Sequence, residues 1–326
     1  MRMIAENTGD PRSDRSPVVT VIIPAYNTAR YIGETLDSVF AQTFRDCEVI
    51  VVNDGSPDTP DLEAVLEKYR NQIRYIKQDN RGAAGARNTG MRHARGQFLV
   101  FVDGDDIWLP DFLADLLDFF EKNPSVDMAC GDCVYFGDPE WEGTSWQSLH
   151  PLESPVTFEE LLPTHGGACM FVALLRKDIV LKVGFFEEKL RILEDYHYWM
   201  RLLYHGGKLA YVPKILGKRR MHPGSLTYKG EILHHAVDAL QRLAAIISPG
   251  SKEASLVQKE LAFTQSRLSL REGKRRLEVG DYDGARKYLG EAYNAVPSRK
   301  TRIALLGLRW APQWTRWTIS RWFNRA

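Results

Sequence analysis

Three carboxylates crowd one short stretch of the chain, Asp103, Asp105 and Asp106 in the run GQFLVFVDGDDIWLP. The apolar residues ahead of them, Phe98, Leu99, Val100, Phe101 and Val102, predict a short strand buried on both faces. In an open α/β sheet, ligands bind outside the carboxyl ends of the strands, so this strand delivers acidic groups to the place where ligands go. Like charges held this close repel, and burial favours their protonation. A divalent cation resolves the conflict, because hard cations take oxygen ligands, and it would in turn grip an anion such as a diphosphate. The competing reading of a lone DGDD is a solvated turn with a helix N-cap.

The elements that must position these groups follow in order. VVTVIIP predicts a β-branched strand stopped by Pro24, CEVIVVNDGS a second buried strand, and IRYIKQ a third. Helical spacing marks residues 31–44 (Ile32, Leu36, Val39, Phe40), the stretch holding Leu62, Val65, Leu66 and Tyr69, and residues 83–94. Strand and helix alternate up to the carboxylate strand, which predicts a doubly wound, mostly parallel α/β sheet with helices on both faces. Further on, residues 112–120 and 194–203 read as helices, 127–136 and 171–175 as strands, and 137–155, rich in Gly, Pro, Trp and Glu, as a loop. Past Thr227 the pattern is helical throughout. The expected organisation is a loose tail over 1–17, a catalytic-type domain over 18–227 and a helical region over 228–326.

Polar residues gather at each strand end. Pro24, Tyr26 and Asn27 close the first, and Asp54, followed by Gly55, closes the second, where its carboxylate can accept hydrogen bonds from a base or ribose. Gly82 follows the third strand, and Arg87 and Asn88 lie on the next helix, with Arg87 able to reach a phosphate or an acidic neighbour. Each fragment alone also fits an ordinary turn or a solvated helix. In LEDYHYWMRL, Glu194 and Asp195 fall at a helix start, where the positive end of the dipole favours ionised carboxylates. An ionised carboxylate facing a cleft can act as a general base, and simple complementation of the dipole is the alternative. In KRRMHPGSLT, Arg219, Arg220 and His222 form a basic cluster that could hold a diphosphate, with neutral His222 completing a metal shell, or could simply be solvated.

These pieces in this order resemble the family 2 glycosyltransferases of GT-A fold, bacterial type, over residues 18–227. The matching stretches are VTVIIPAYNTARYIGETLDSVFAQTF, VIVVNDGSPDT, NRGAAGARNTGMRHARGQFLVFVDGDDIW, VGFFEEKLRILEDYHYWMRL and RRMHPGSLT. The resemblance implies that Pro24, Tyr26, Asn27 and Asp54 bind base and ribose, and that Gly82, Arg87 and Asn88 lie along the sugar-nucleotide. It makes Asp103 and Asp105 the outer residues of a DxD motif, with Asp105 nearest the metal and Asp103 toward the ribose, and has Asp106 supporting the sugar or the metal shell. Asp195, beside Glu194, becomes the catalytic base, His222 approaches the metal or the diphosphate, and Arg220 binds the donor. One departure is visible: Arg219 stands where the family often carries an aromatic residue. The implied activity is an inverting, metal-dependent transfer of the hexosyltransferase type, using Mn or Mg and a nucleotide-diphosphate sugar, with a UDP-sugar favoured. The implied acceptor is a glycan or lipid-linked hydroxyl, as in polysaccharide biosynthesis at the cell envelope.

Composition agrees with a globular enzyme. The chain has 326 residues, 44% hydrophobic, with a formal charge of +1, which gives no nucleic-acid signal. Four cysteines, Cys47, Cys130, Cys133 and Cys169, are too few for a disulfide scaffold and point to a reducing compartment. The charged N-terminus lacks an apolar h-region and does not read as a signal peptide. The expected location is cytoplasmic, or peripheral on the inner face of the plasma membrane. The peripheral option comes from the far end. After Glu291 no acidic residue occurs, while Arg299, Lys300, Arg302, Arg309, Arg316, Arg321 and Arg325 interleave with Trp310, Trp314, Trp317 and Trp322. Such a segment suits an anionic membrane surface or tryptophans packed on the protein itself. Before it, GDYDGARKYLGEAYNAVP resembles one tetratricopeptide-type helix, but a single copy makes a helical hairpin the expectation.

Other enzyme classes fit less well. A nucleotidyltransferase would want a Gly-rich, basic loop after the first strand, where PAYNTAR stands, and a Rossmann oxidoreductase would place its glycines there too, whereas GAAGARNTG follows the third strand. A non-catalytic nucleotide-sugar-binding scaffold would not need every acidic position filled.

Overall fold

The structure, a computed structural model, describes residues 16–149, 151–165, 170–224 and 232–313. They divide into two compact units, one within Met1–Gly230 and one within Glu231–Ala326.

The first unit is built on an eight-stranded sheet. Its strands are β1 (Val19–Ala25), β2 (Cys47–Asp54), β3 (Ile73–Gln78), β4 (Phe98–Phe101), β5 (Ile107–Trp108), β6 (Met128–Phe136), β7 (Ala173–Arg176) and β8 (Leu209–Arg220), in the order β3-β2-β1-β4-β7-β6-β8-β5. The half β3-β2-β1-β4 is parallel, and its central strands β1 and β4 are wholly apolar and buried but for Thr20 and Pro24, as strands covered on both faces must be. Beyond β4 the sheet is mixed. β7 runs against both β4 and β6, β6 and β8 are parallel, and β5 is antiparallel to β8.

The helices of this unit are α1 (Ile32–Phe40), α2 (Thr59–Leu66), α3 (Gly82–His93), α4 (Phe112–Lys122), α5 (Trp146–Leu149), α6 (Phe158–Leu161), α7 (Lys177–Val183) and α8 (Glu194–Tyr204). Helix α1 is shorter than the predicted 31–44. The Gln42 side chain donates to the Leu109 carbonyl (2.8 Å) and accepts from the Leu113 N–H (3.1 Å), while the Thr43 N–H donates to the Pro110 carbonyl (2.9 Å). These bonds take the chain out of the helix. The predicted strand 171–175 begins later, at Ala173, after a single turn of tighter helix over Met170–Val172.

Helix α3 sets the site. Its small residues let it lie unusually close to the sheet: a Cβ on Gly90 would fall 2.3 Å from Cγ2 of Ile22. That approach carries Arg87 and Asn88 into the interior, where only 4% and 1% of their surface stays exposed. Charged groups are rarely buried so deeply unless paired, so their partners identify what the helix organises.

The second unit contains α9 (Ile232–Ile246), α10 (Lys252–Glu278), α11 (Tyr282–Ala295) and α12 (Arg299–Trp310). Leu277, Ala285, Leu289, Ala304 and Leu308 form its core, and α11 begins where the Asp281 side chain accepts from the Gly284 N–H.

Candidate active site

The ends of β1 and β2 are joined by polar side chains. The Asn27 N–H donates to Ser56 Oγ (2.6 Å), the Ala29 N–H to Asp58 Oδ2 (2.8 Å), and the Ser56 N–H to Asn53 Oδ1 (2.9 Å). Asn27 is left-handed (φ 56°), and Tyr26 beside it is half exposed. Asp54 is buried, and its Oδ1 accepts from Gln78 Nε2 (2.7 Å) and from the Arg81 N–H (2.9 Å), which shapes the entry into α3, whose first residue is Gly82. Gly55 has φ +64°, and a Cβ there would meet the Asn80 nitrogen at 2.8 Å, so both conformation and space require glycine.

Arg87 bridges two acidic segments. Its Nη2 donates to Asp103 Oδ1 at 2.6 Å, just past β4, and its Nη1 donates to Glu194 Oε1 at the start of α8. The Arg87 and Glu194 side chains are only 5% and 9% exposed, whereas Asp103 is 46% exposed. Burial opposes the Arg87 charge, but Asp103, Glu194 and Asp195 outweigh it and raise its pKa further. Burial pushes the Glu194 carboxyl up to about 7 against the pull of Arg87, with Asp195 adding repulsion. Asp195 is likewise raised by burial, while Arg87, the Tyr196 N–H and Arg219 oppose the shift. Immediately before this pair, buried Leu193 holds a left-handed conformation (φ 65°). That costs a side-chain-bearing residue roughly 1–2 kcal/mol, and strain of this kind gathers at functional sites.

Asn88 pins the approach to α8. Its amide exchanges hydrogen bonds with the Phe186 carbonyl (3.0 Å) and N–H (2.8 Å), and donates to Glu188 Oε1 (2.9 Å), which also pairs through its other oxygen with Arg81 (2.6 Å). One helix thus ties the carboxylate turn after β4 to the segment leading into α8.

The third group is the turn Asp103–Asp106, closed by a bond from the Asp106 N–H to the Asp103 carbonyl (3.1 Å). Asp105 Oδ2 lies 3.0 Å from His222 Nε2. Burial and then Asp103 raise the Asp105 carboxyl, and His222 and Arg219 draw it down. Asp106 is more buried still and is raised well above the usual range by burial, Asp105 and Asp103. The Arg220 N–H donates to Asp106 Oδ1 (2.9 Å). The Arg220 guanidinium is engaged by the Asp105 carbonyl (3.0 Å), Glu34 (2.8 Å) and the rings of Tyr31 and Phe136. These protein partners let Arg220 orient the acidic turn. Arg219, one strand position earlier, pulls down the carboxyls of Asp105, Asp106 and Asp195 alike.

Among the described residues, no group of three or more His, Cys, Asp or Glu side chains converges closely enough to hold a metal alone. Asp105 and His222, each about one-fifth exposed, nonetheless present an oxygen and a nitrogen 3.0 Å apart. A carboxyl pushed toward protonation by burial and by a like charge is one that a cation would ionise. The donors fit a divalent ion whose remaining positions come from a ligand's oxygens and water.

Sequence reasoning named the acids, Arg87, Asn88 and His222, and the structure brings Asp103, Arg87, Glu194 and Asp195 into one charge network and Asp105, Asp106, Arg220 and His222 into another. It missed Gln78, Ser56, Asp58 and Glu188, which hold the strand-end loops in place. For Gln78, Ser56 and Asp58 the only signal was a polar residue near a strand end, and Glu188, between α7 and α8, had none. It also missed Glu34, the partner of Arg220, for which helix periodicity gives no cue.

Comparison with known proteins gives the class. A model of glycosyl transferase family 2 matches residues 20–184, and the chain belongs to that family. A glycosyltransferase of Rickettsia typhi, itself uncharacterized, is 31% identical over 225 residues, covering 65% of this chain and 66% of the relative. EpsJ of Bacillus subtilis, another uncharacterized glycosyltransferase, is 30% identical over 217 residues, 65% of this chain and 63% of its own length. The chain therefore spans about two-thirds of such relatives, and only 34% of one from Rickettsia felis. Among solved structures, S. aureus TarS 1–349 in complex with UDP-GlcNAc superposes with a TM-score of 0.66 at 22% identity, covering 94% of this chain and 91% of that one. The mannosyltransferase PcManGT from Pyrobaculum calidifontis, in complex with GDP-Man and Mn2+, gives 0.59 at 20% identity, covering 96% and 86%. These likenesses establish the GT-A fold.

Proposed function

We propose that this chain transfers a sugar from a nucleoside-diphosphate sugar, with a uridine donor favoured, to a hydroxyl of a glycan, free or lipid-linked, with inversion at the anomeric carbon. The observation that carries this reading is the Arg87 bridge, which joins Asp103 after β4 to Glu194 beside Asp195. It ties the acidic turn, on this reading the donor-binding one, to the candidate base beside Glu194. Tyr26 offers an exposed ring for stacking a base, beside the loops at Asn27 and Asp54. The TarS complex supports a UDP-sugar as donor.

Asp195 acts as the base. Glu194 is committed to Arg87, whereas the Asp195 carboxylate accepts from its own helix, at the Tyr196 N–H (2.7 Å). Burial raises the Asp195 pKa toward the working range of a proton acceptor. Asp195 takes the proton of the acceptor hydroxyl, whose oxygen attacks opposite the leaving diphosphate. Asp105 and His222, with Asp103, would hold a divalent ion, Mn or Mg, which when bound supplies positive charge to the diphosphate as it leaves. Arg219 adds a fixed positive field at the same place.

The test is release of nucleoside diphosphate from a panel of nucleotide-sugars, with and without manganese, by the unaltered chain and by Asp195→Asn. The variant should bind donor as before and turn over about 10²–10⁴-fold more slowly. Unchanged turnover would remove Asp195 from the role, and silence with every donor in the unaltered chain would remove the activity.

A further inference from the structure

We infer that α12 is an interfacial helix that docks on an anionic lipid bilayer. The helix has two apolar faces. Thr301, Ala304 and Leu308 point into the core of the second unit. On the opposite side Ile303, Leu306 and Trp310 are 54%, 50% and 77% exposed. Positions i, i+3 and i+7 share one face of a helix, so the three side chains form a single stripe. Isolated exposed apolar residues need no explanation, but an aligned stripe on a short helix does.

Charge selects the occupant. On a helical projection, exposed Arg302 and Arg309 flank the stripe on one side and exposed Lys300 on the other, with Arg299 at its first turn. The Arg309 guanidinium lies over the Trp310 ring, 5.5 Å from its centre. No acidic residue follows Glu291, while the chain still to come carries Arg316, Arg321, Arg325, Trp314, Trp317 and Trp322. A second copy of this helix would meet four cations with four cations. A bilayer of acidic lipids satisfies both parts at once: the apolar stripe enters the headgroup boundary with Trp310, and the flanking cations stay with the phosphates. Among the described residues no helix is long and apolar enough to cross a membrane, so the contact is peripheral. The inference does not depend on the activity proposed above.

The experiment is co-sedimentation of the full chain with phosphatidylcholine vesicles, with or without one-third phosphatidylglycerol, at low and high salt. Two variants, Leu306→Ser/Trp310→Ser and Arg302→Gln/Arg309→Gln, are run beside it. All four positions are exposed, so the thermal melts should match that of the unaltered chain. Binding should require phosphatidylglycerol, weaken with salt, fall about thirtyfold in the arginine variant, and fall at least as far in the apolar one. Equal sedimentation of all three proteins would overturn the inference, as would absence of binding to either vesicle. So would a Leu306→Ser/Trp310→Ser protein that elutes as a smaller species than the unaltered chain, since the stripe would then belong to a second copy.

Discussion

Removing the Arg87 guanidinium should destabilise the first unit more than any neighbouring polar deletion, and the cost should depend on pH. Arg87→Met leaves Glu194 buried without its counter-charge, because the Glu194 side chain is 9% exposed and Arg87 is its ion-pair partner. Breaking such a buried pair costs about 3–5 kcal/mol, whereas replacing both members by apolar groups is often neutral. Loss of the Asp103 contact adds little, since that carboxylate is half exposed. At about 2–4 °C per kcal/mol for a unit of this size, Arg87→Met should melt roughly 10 °C lower at pH 8. The sign with pH follows from Glu194, whose pKa is raised to about 7 from 4.5. The folded state holds that proton longer than the unfolded chain, so the group's contribution to stability is fully present below pH 4.5 and is lost as pH rises toward 7. Without Arg87 the proton is held to still higher pH, and the variant's deficit should shrink at pH 5, where Glu194 is neutral in both proteins. The double variant Arg87→Met/Glu194→Leu should recover most of the melting temperature at pH 8 and none of the activity. Thermal melts of the two single variants and the double, at both pH values, decide it. Deficits that simply add, with no pH dependence, would refute the assignment of a coupled buried pair.

Three further outcomes follow from the same geometry. Gly55→Ala forces a Cβ against the Asn80 nitrogen at a positive φ, and should cost about 1–3 kcal/mol and weaken donor binding by calorimetry; a neutral result would show that this turn relaxes freely. His222→Ala removes the hydrogen bond that holds the Asp105 carboxyl down, so manganese affinity should drop about 10–100-fold and need higher pH, whereas unchanged affinity would exclude His222 from the metal. The rising limb of kcat/KM against pH should lie above the ordinary aspartate range near 4, because burial raises Asp195. Arg219→Gln should move that limb higher still, since Arg219 pulls the same carboxyl down, and a limb that does not move would separate Arg219 from the base.

The parallel half of the sheet was legible because β1, β2 and β4 are continuous apolar runs ended by polar residues. The direction of β7 was not, since four apolar residues carry no sign of which way they run, and its pairing against β4 and β6 is decided by the chain around it. The acids were found from their crowding, and Asp105 and Asp106 do have raised pKa values of the kind that crowding and burial produce. The depth of Arg87 and Asn88 was hidden. In GAAGARNTG the small residues that let α3 settle on the sheet also erase the apolar stripe by which a buried helix face is usually read. The pairing of Arg220 with Glu34, 186 positions away, was hidden as well, because no spacing in the sequence announces it.

The Arg87 bridge also bears on how the chain is made. Its two carboxylate partners lie 16 and 107 residues downstream. During synthesis the first four parallel strands can assemble with α3 once Asp103 has emerged, but the deeper Glu194 partner is still unmade. Until it arrives, the half-built sheet encloses an under-compensated cation, which disfavours tight closure of α3 on β1 and β2. A fragment ending before residue 194 should therefore remain loosely packed around that helix, and adding the missing half in trans should tighten it.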